Sequence, residues 1–425
     1  MELPDTSLFP RVVNVRRLFP ELSVDNIAAV VHGEMASCGI ENKIEAGMKI
    51  AVTAGSRGID RIGEVLRAVG EVVRSRGAEP FIVPAMGSHG GATARGQEEM
   101  LEGLGISEIT TGMPLKSSME TVKIGTVEDT PVFMDKNAFS SDGIIVVNRA
   151  KPHTSIIGKY GSGLRKMMVV GLGKRDGAAS FHGLGPAELK KLLPRMARII
   201  MEKAPILGGV GLVEDSNDKL SIIKAAMPDA IPKLDSELLD ESAKLMPRLP
   251  FDAIDVLVVR EMGKDISGTG MDVNITGRFG VRLSPDLPSP RVKRIVILGL
   301  SAGSRGSAHG MGMADITTER MVEQIDWAAT RENSMASSFP ERARLPLAFP
   351  SDRDAVEAAL ATSWIPDISK ARLVVIKNTL AMGKLIVSES LIEEIEEKED
   401  AEIMGEPTSL SFDDEGWLTT GDFLD

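Results

Sequence analysis

Apolar residues in this chain fall into short continuous runs that alternate with stretches of three- and four-residue periodicity. Lys49-Ile-Ala-Val-Thr-Ala-Gly55 is one such run, ending at glycine as a strand buried on both faces does. Ile59, Ile62, Val65, Leu66, Val69, Val72 and Val73 then recur at helical spacing, leaving Asp60, Arg61, Glu64, Arg67, Glu71 and Arg74 for the outer face. The pair predicts a strand and its crossover helix, stopped at Gly77. Pro80 to Met86 predicts a second strand running into Gly87-Ser-His-Gly-Gly91, and Thr93 is placed to cap the next helix. Further strands are predicted at Gly143 to Asn148, Ala253 to Arg260, Arg294 to Leu300 and Arg372 to Lys377. Strand alternates with helix, so the chain reads as α/β, with two α/β domains and mostly parallel sheets.

Pro247 and Pro250 mark a break before the strand at Ala253. This predicts an N-terminal domain over 1–250, a C-terminal domain over 251–380 and a tail over 381–425. The tail shows an acidic helix around Glu389 to Lys398 and a hairpin over Thr408 to Thr419, turning at Asp413-Asp-Glu-Gly416. The formal charge of −12 opposes nucleic-acid binding, which needs clustered Lys and Arg, and favours a small-molecule partner. No window approaches the roughly 18 apolar residues of a spanning helix, and the amino terminus lacks the apolar core of a secretory signal. The expectation is a cytoplasmic protein without membrane contact. Cys38 is the single cysteine, which excludes an internal disulfide and a thiolate metal cage.

The chain has five histidines, and four of them, His89, His153, His182 and His309, lie in glycine-rich or turn-like surroundings. His89 and His153 each follow a predicted strand, at the edge where open α/β sheets bind ligands. Taken singly, each is equally a tolerated turn residue, and His182, before Pro186 and a helix over Ala187 to Met201, is more readily a structural one. Gly161-Ser-Gly-Leu-Arg-Lys166 sets small residues before two cations, a pattern suited to anion binding by backbone N–H groups, although common in loops. Lys264, Asp265, Ser267 and Thr269 form a polar loop after the strand at Ala253. They are placed either to bind the far end of a substrate or to satisfy their own backbone. Arg278 is an additional candidate for a carboxylate.

In combination, Ser56-Arg57, Gly87-Ser88-His89, His153, Ser162-Gly163-Leu164-Arg165-Lys166 and His182 resemble, in order and spacing, the motifs of the nickel-dependent lactate racemase family. The resemblance spans most of the chain. It implies two α/β domains with the active site in the cleft between them and the chain's end packing back on the first domain. It implies a nickel-pincer nucleotide joined covalently to Lys166 by a thioamide, bound also by Ser162, Gly163 and Arg165, with nickel ligated by His182. His89 and His153 would be the acid/base pair, one for each face of a 2-hydroxy acid, and Arg57, Lys264 and Arg278 would bind the substrate. The cofactor would be supplied by separate biosynthesis proteins. Lactate racemases proper carry an aspartate and a histidine just before the arginine, whereas Gly55 and Ser56 stand here, and the step from His153 to Lys166 is slightly longer. These departures point to a larger 2-hydroxy acid or a sugar acid. Two other classes remain: a non-catalytic binder of hydroxy acid or cofactor, and a nicotinamide-dependent dehydrogenase. The dehydrogenase reading lacks a Gly-x-Gly-x-x-Gly turn after the first strand.

Overall fold

The computed structural model describes residues 9–154, 161–182 and 185–425, and the side chains of His182, Pro186 and Ala187 lie outside the description. The chain divides into two compact units, Glu21–Met246 and a second made of Met1–Pro20 with Pro247–Asp425. Among the described residues no helix is long and apolar enough to cross a membrane.

Strand β1 is Arg11–Arg17. The strands of the Glu21–Met246 unit are β2 Lys49–Ala54, β3 Glu79–Pro84, β4 Thr121–Val127, β5 Thr130–Asp135, β6 Gly143–Arg149, β7 Ile206–Glu214 and β8 Leu220–Ala226. Five of them form a sheet in the order β3-β2-β6-β7-β8, parallel except for β8, and β4 pairs with β5 in a separate ribbon. Alternate residues of β6 enter different cores. Ile144 and Val146 pack with Leu192, Met196 and Leu238, while Ile145 and Val147 pack with Val31, Val65 and Val69. Burial on both faces is why these strands read as unbroken apolar runs. The first strand of this sheet, β2, lies between β3 and β6, so the chain reverses its direction of growth there. Such a switch point leaves a crevice at the carboxyl ends of the flanking strands.

The other unit contains β9 Ala253–Val259, β10 Arg291–Ile297, β11 Ile316–Thr318, β12 Leu347–Phe349, β13 Leu373–Ile376, β14 Lys384–Ser388 and β15 Ala401–Ser409. Its sheet runs β12-β11-β10-β9-β13-β14-β1-β15, with the first five strands parallel and the remaining pairings antiparallel. Here the structure differs from the sequence expectation for the tail. Strands β14 and β15 extend the second sheet, and β1 inserts between them, with Val15 opposite both Leu385 and Ile403. The tail does meet the amino-terminal segment, but only because residues 11–17 leave the expected 1–250 domain to complete the other sheet. Val12, Val13 and Val15 are all buried there, which drives the insertion. The acidic tail helix is short, Ile392–Glu396. The expected hairpin keeps its turn, with Phe412 bridged to Leu418 and Gly416 donating to Asp413 O, while Thr408 belongs to β15.

Candidate functional site

In the Glu21–Met246 unit, Ser56 and Arg57 follow β2, His89 follows β3 and His153 follows β6. These strands are adjacent and parallel, so their carboxyl ends share one edge of the sheet. Across that edge Ser56 Oγ lies 2.5 Å from His89 Nδ1, and His153 Nε2 lies 2.5 Å from Lys166 Nζ. Separate sequence motifs thus converge on one place.

Lys166 is carried there by a loop that closes on itself. Lys151 N donates to Ser162 O at 2.9 Å and Ser162 N donates back to Lys151 O at 2.8 Å, while Asn148 Nδ2 donates to Gly163 O at 2.7 Å. Glycines are required at this return. A Cβ at Gly161 would lie 2.4 Å from Leu239 Cδ1, and one at Gly163 would lie 2.5 Å from Asp235 Oδ1. Asp235 accepts from Leu164 N at 2.7 Å, Arg165 N at 3.0 Å and Arg165 Nε at 3.0 Å. The backbone N–H groups of Leu164 and Arg165, which the sequence offered to an external anion, are therefore met by a carboxylate of the protein itself. After Lys166 the helix widens over Met167–Gly171, where Leu172 N reaches Met167 O at 2.8 Å, a local widening often found at functional sites.

Cations dominate this edge although the whole chain is acidic. Burial, and secondarily the Arg57 guanidinium, lower Lys166 from 10.5 to about 7. Arg57 is itself lowered by burial and then by Arg149. Both residues retain solvent contact, Arg57 the more, so dense surrounding protein and surface exposure coexist. For Arg57 the exposure is the better guide, and its guanidinium stays charged. For Lys166, less exposed, burial favours the neutral amine. Arg149 is ion-paired with Glu214. Burial also raises Asp218, with Lys151 opposing it.

A buried polar network unanticipated from the sequence supports the His89 turn. Gln97 Nε2 donates to Gly87 O at 2.9 Å and to His89 O at 3.2 Å. Lys174, wholly buried, donates to Gln97 Oε1 at 3.0 Å and Pro84 O at 2.6 Å and pairs with Asp135 at 3.2 Å. Burial lowers Lys174 and raises Asp135, and their mutual attraction opposes both shifts. One signal was available: Gln97 lies four residues before the apolar Leu101, on the same inward face of the helix Ala94–Gly103. Lys174 opens the helix Lys174–His182, whose last residue is the proposed nickel ligand; the imidazole of His182 lies outside the described atoms. Among the described residues, no group of three or more His, Cys, Asp or Glu is arranged to hold a metal ion.

The remaining sequence candidates lie in the other unit. Lys264 donates to Asn333 Oδ1 in the loop after β9. Asp265 Oδ1 accepts from Ser301 Oγ at 2.6 Å, and Thr269 Oγ1 donates to Met271 O at 2.7 Å, so this loop satisfies much of its own polarity. Arg278 donates to Asp315 Oδ2 at 2.6 Å and to Val292 O at 2.9 Å. It therefore braces the amino-terminal end of β10, at the opposite edge from Lys264. His309 is buried, its Nδ1 3.0 Å from Ser334 Oγ. That hydroxyl donates to Thr330 O at 2.7 Å, so the ring donates from Nδ1 and leaves Nε2 a buried acceptor with no hydrogen-bond partner among the described residues. Burial, then Arg342 and Lys264, lower His309 to about 4, which keeps it neutral.

Both units are α/β, with largely parallel sheets and loops gathered at the carboxyl ends of the strands. The chain as a whole has a lactate racemase-like fold. The lactate racemase apoprotein from Thermoanaerobacterium thermosaccharolyticum is similar over 89% of this chain and 95% of its own, at 14% identity and a TM-score of 0.51. A protein from Thermotoga maritima is similar over 76% of this chain and 84% of its own, also at 14% identity and a TM-score of 0.51. No protein-family model and no curated protein matches the sequence. At this identity the likeness carries the architecture and assigns no residue its role.

Proposed function

We propose that this chain is an isomerase, a racemase or epimerase of a 2-hydroxy acid larger than lactate or of a sugar acid, working with a nickel-pincer nucleotide held on Lys166. The observation that carries this reading is the meeting of Ser56, Arg57, His89, His153 and Lys166 at one sheet edge in a chain with a lactate racemase-like fold. The described residues suit attachment of the nucleotide: a thioamide link requires a neutral amine, which burial of Lys166 favours, and Arg57 suits an anionic group. When bound, that group supplies hydride chemistry at the substrate's C2.

The chain's own residues do the rest. Arg57 holds the substrate carboxylate in its planar fork. His89 and His153 serve the two faces, one taking the hydroxyl proton while the other stands ready to return it. Ser56 fixes the plane of the His89 ring through Nδ1. Acylation of the Lys166 nitrogen removes its basicity, leaving His153 as the base of that pair. Arg278 stays a structural brace in this scheme.

The test uses protein co-expressed with the pincer biosynthesis proteins and single enantiomers of a series of 2-hydroxy acids in deuterated water. The reading predicts inversion at C2 with the original hydrogen retained. Solvent deuterium at C2, or no inversion by protein proven to carry the nucleotide, overturns it.

A further inference from the structure

Lys166 combines three properties that seldom coincide at one amine. Its nitrogen touches an imidazole, 2.5 Å from His153 Nε2. A guanidinium, Arg57, is close enough to perturb it, and burial lowers it from 10.5 to about 7, toward the unprotonated amine. Asn148 and the Lys151–Ser162 closure hold its loop at the sheet edge. An amine, a proton carrier and a carboxylate receptor are the three parts of a site that condenses with a 2-oxo acid.

We propose that Lys166, while it carries no other group, forms a reversible imine with 2-oxo acids, with His153 moving the protons and Arg57 receiving the carboxylate. The Lys166 lone pair adds to the C2 carbonyl, and the carbonyl electron pair passes to oxygen, which receives through His153 the first of the two nitrogen protons. His153 takes a proton from the nitrogen of the resulting carbinolamine and delivers it to the departing hydroxyl. The nitrogen lone pair then closes the C=N bond as water leaves. The balance is one amine plus one oxo acid to one imine plus one water, with no change of oxidation state. The imine occupies the nitrogen that the nucleotide needs, so 2-oxo acids compete with cofactor attachment. The proposal rests on the geometry of Lys166 and stands or falls independently of racemase activity.

The full-length chain, expressed without the pincer biosynthesis proteins, is treated with glyoxylate or pyruvate and cyanoborohydride near neutral pH, then analysed by intact mass and peptide mapping. The expected product is one adduct equal to the oxo acid less one oxygen atom, located on the Lys166 peptide. Acetaldehyde, which lacks the carboxylate, should label that peptide more slowly, and Arg57→Gln should remove the difference. His153→Asn keeps the amine yet should slow labelling by about a hundredfold, the low end for a positioned proton-transfer group. Lys166→Ala and Lys166→Met, with folding checked by circular dichroism, should leave the peptide unlabelled. Labelling spread evenly over the surface lysines, or labelling of Lys166 at an unchanged rate in His153→Asn, overturns the proposal.

Discussion

Lys166 and Lys174 are lysines placed where burial disfavours charge, and they resolve that conflict differently. Lys166 has no carboxylate among its principal influences and is pushed toward the neutral amine; Lys174 keeps Asp135 and two oxygen acceptors. Lys174→Met should therefore strand Asp135 and loosen Gln97, costing about 3–5 kcal/mol in urea unfolding, as loss of one partner of a buried pair does. The added change Asp135→Asn should recover part of that cost. His309 gives a pH prediction. Its folded pKa lies below its unfolded value of 6.5, so its contribution is present above 6.5 and lost as pH falls toward about 4. Between about pH 7 and pH 5 that component amounts to about 2 kcal/mol. Urea unfolding of His309→Gln should lack it. At this scale the sequence brought His89, His153 and Arg57 forward because each follows an apolar run that reads as a strand. Asp235 and Lys174 were illegible, and Gln97 was visible only as an inward-facing helix position, since their partners are backbone groups and side chains brought close only by folding.

At the level of elements, the predicted strands ending before Ser56, His89 and His153 are present, because strands buried on both faces leave continuous apolar runs. Strand β1 and the pairing of β14 with it were missed. Their runs are short, and β1 is flanked by Arg11, Arg16 and Arg17, which read as a surface segment. The sequence offered Gly161 to Lys166 as an anion cradle, and it cannot disclose that Asp235 takes the N–H groups of Leu164 and Arg165. Gly163→Ala should push a Cβ against that carboxylate and displace the turn leading to Lys166. A loss of about 1–3 kcal/mol in urea unfolding is expected, together with a lower yield of labelled Lys166.

On the scale of the whole molecule, the discontinuous unit is the feature that the linear reading lacked. A break at Pro247 and Pro250 was visible, whereas the passage of residues 11–17 into the far sheet depends on which strand edges remain open. It follows that a fragment of residues 21–246 should fold alone with a cooperative urea transition. A fragment of residues 247–425 should not, because β14 and β15 would lose the strand that joins them. Adding residues 1–20 in trans should restore order to it, read by circular dichroism and amide exchange. Arg57, Arg149 and Lys166 lie near one another at one sheet edge of this acidic chain, a field suited to drawing in an anionic ligand. The measurement that bears most directly on the function is intact mass with nickel content after co-expression with the pincer biosynthesis proteins, for the native chain and Lys166→Ala. A mass adduct and nickel confined to the native chain are predicted; absence of both from the native chain, with the partner proteins shown to be active, would contradict the account.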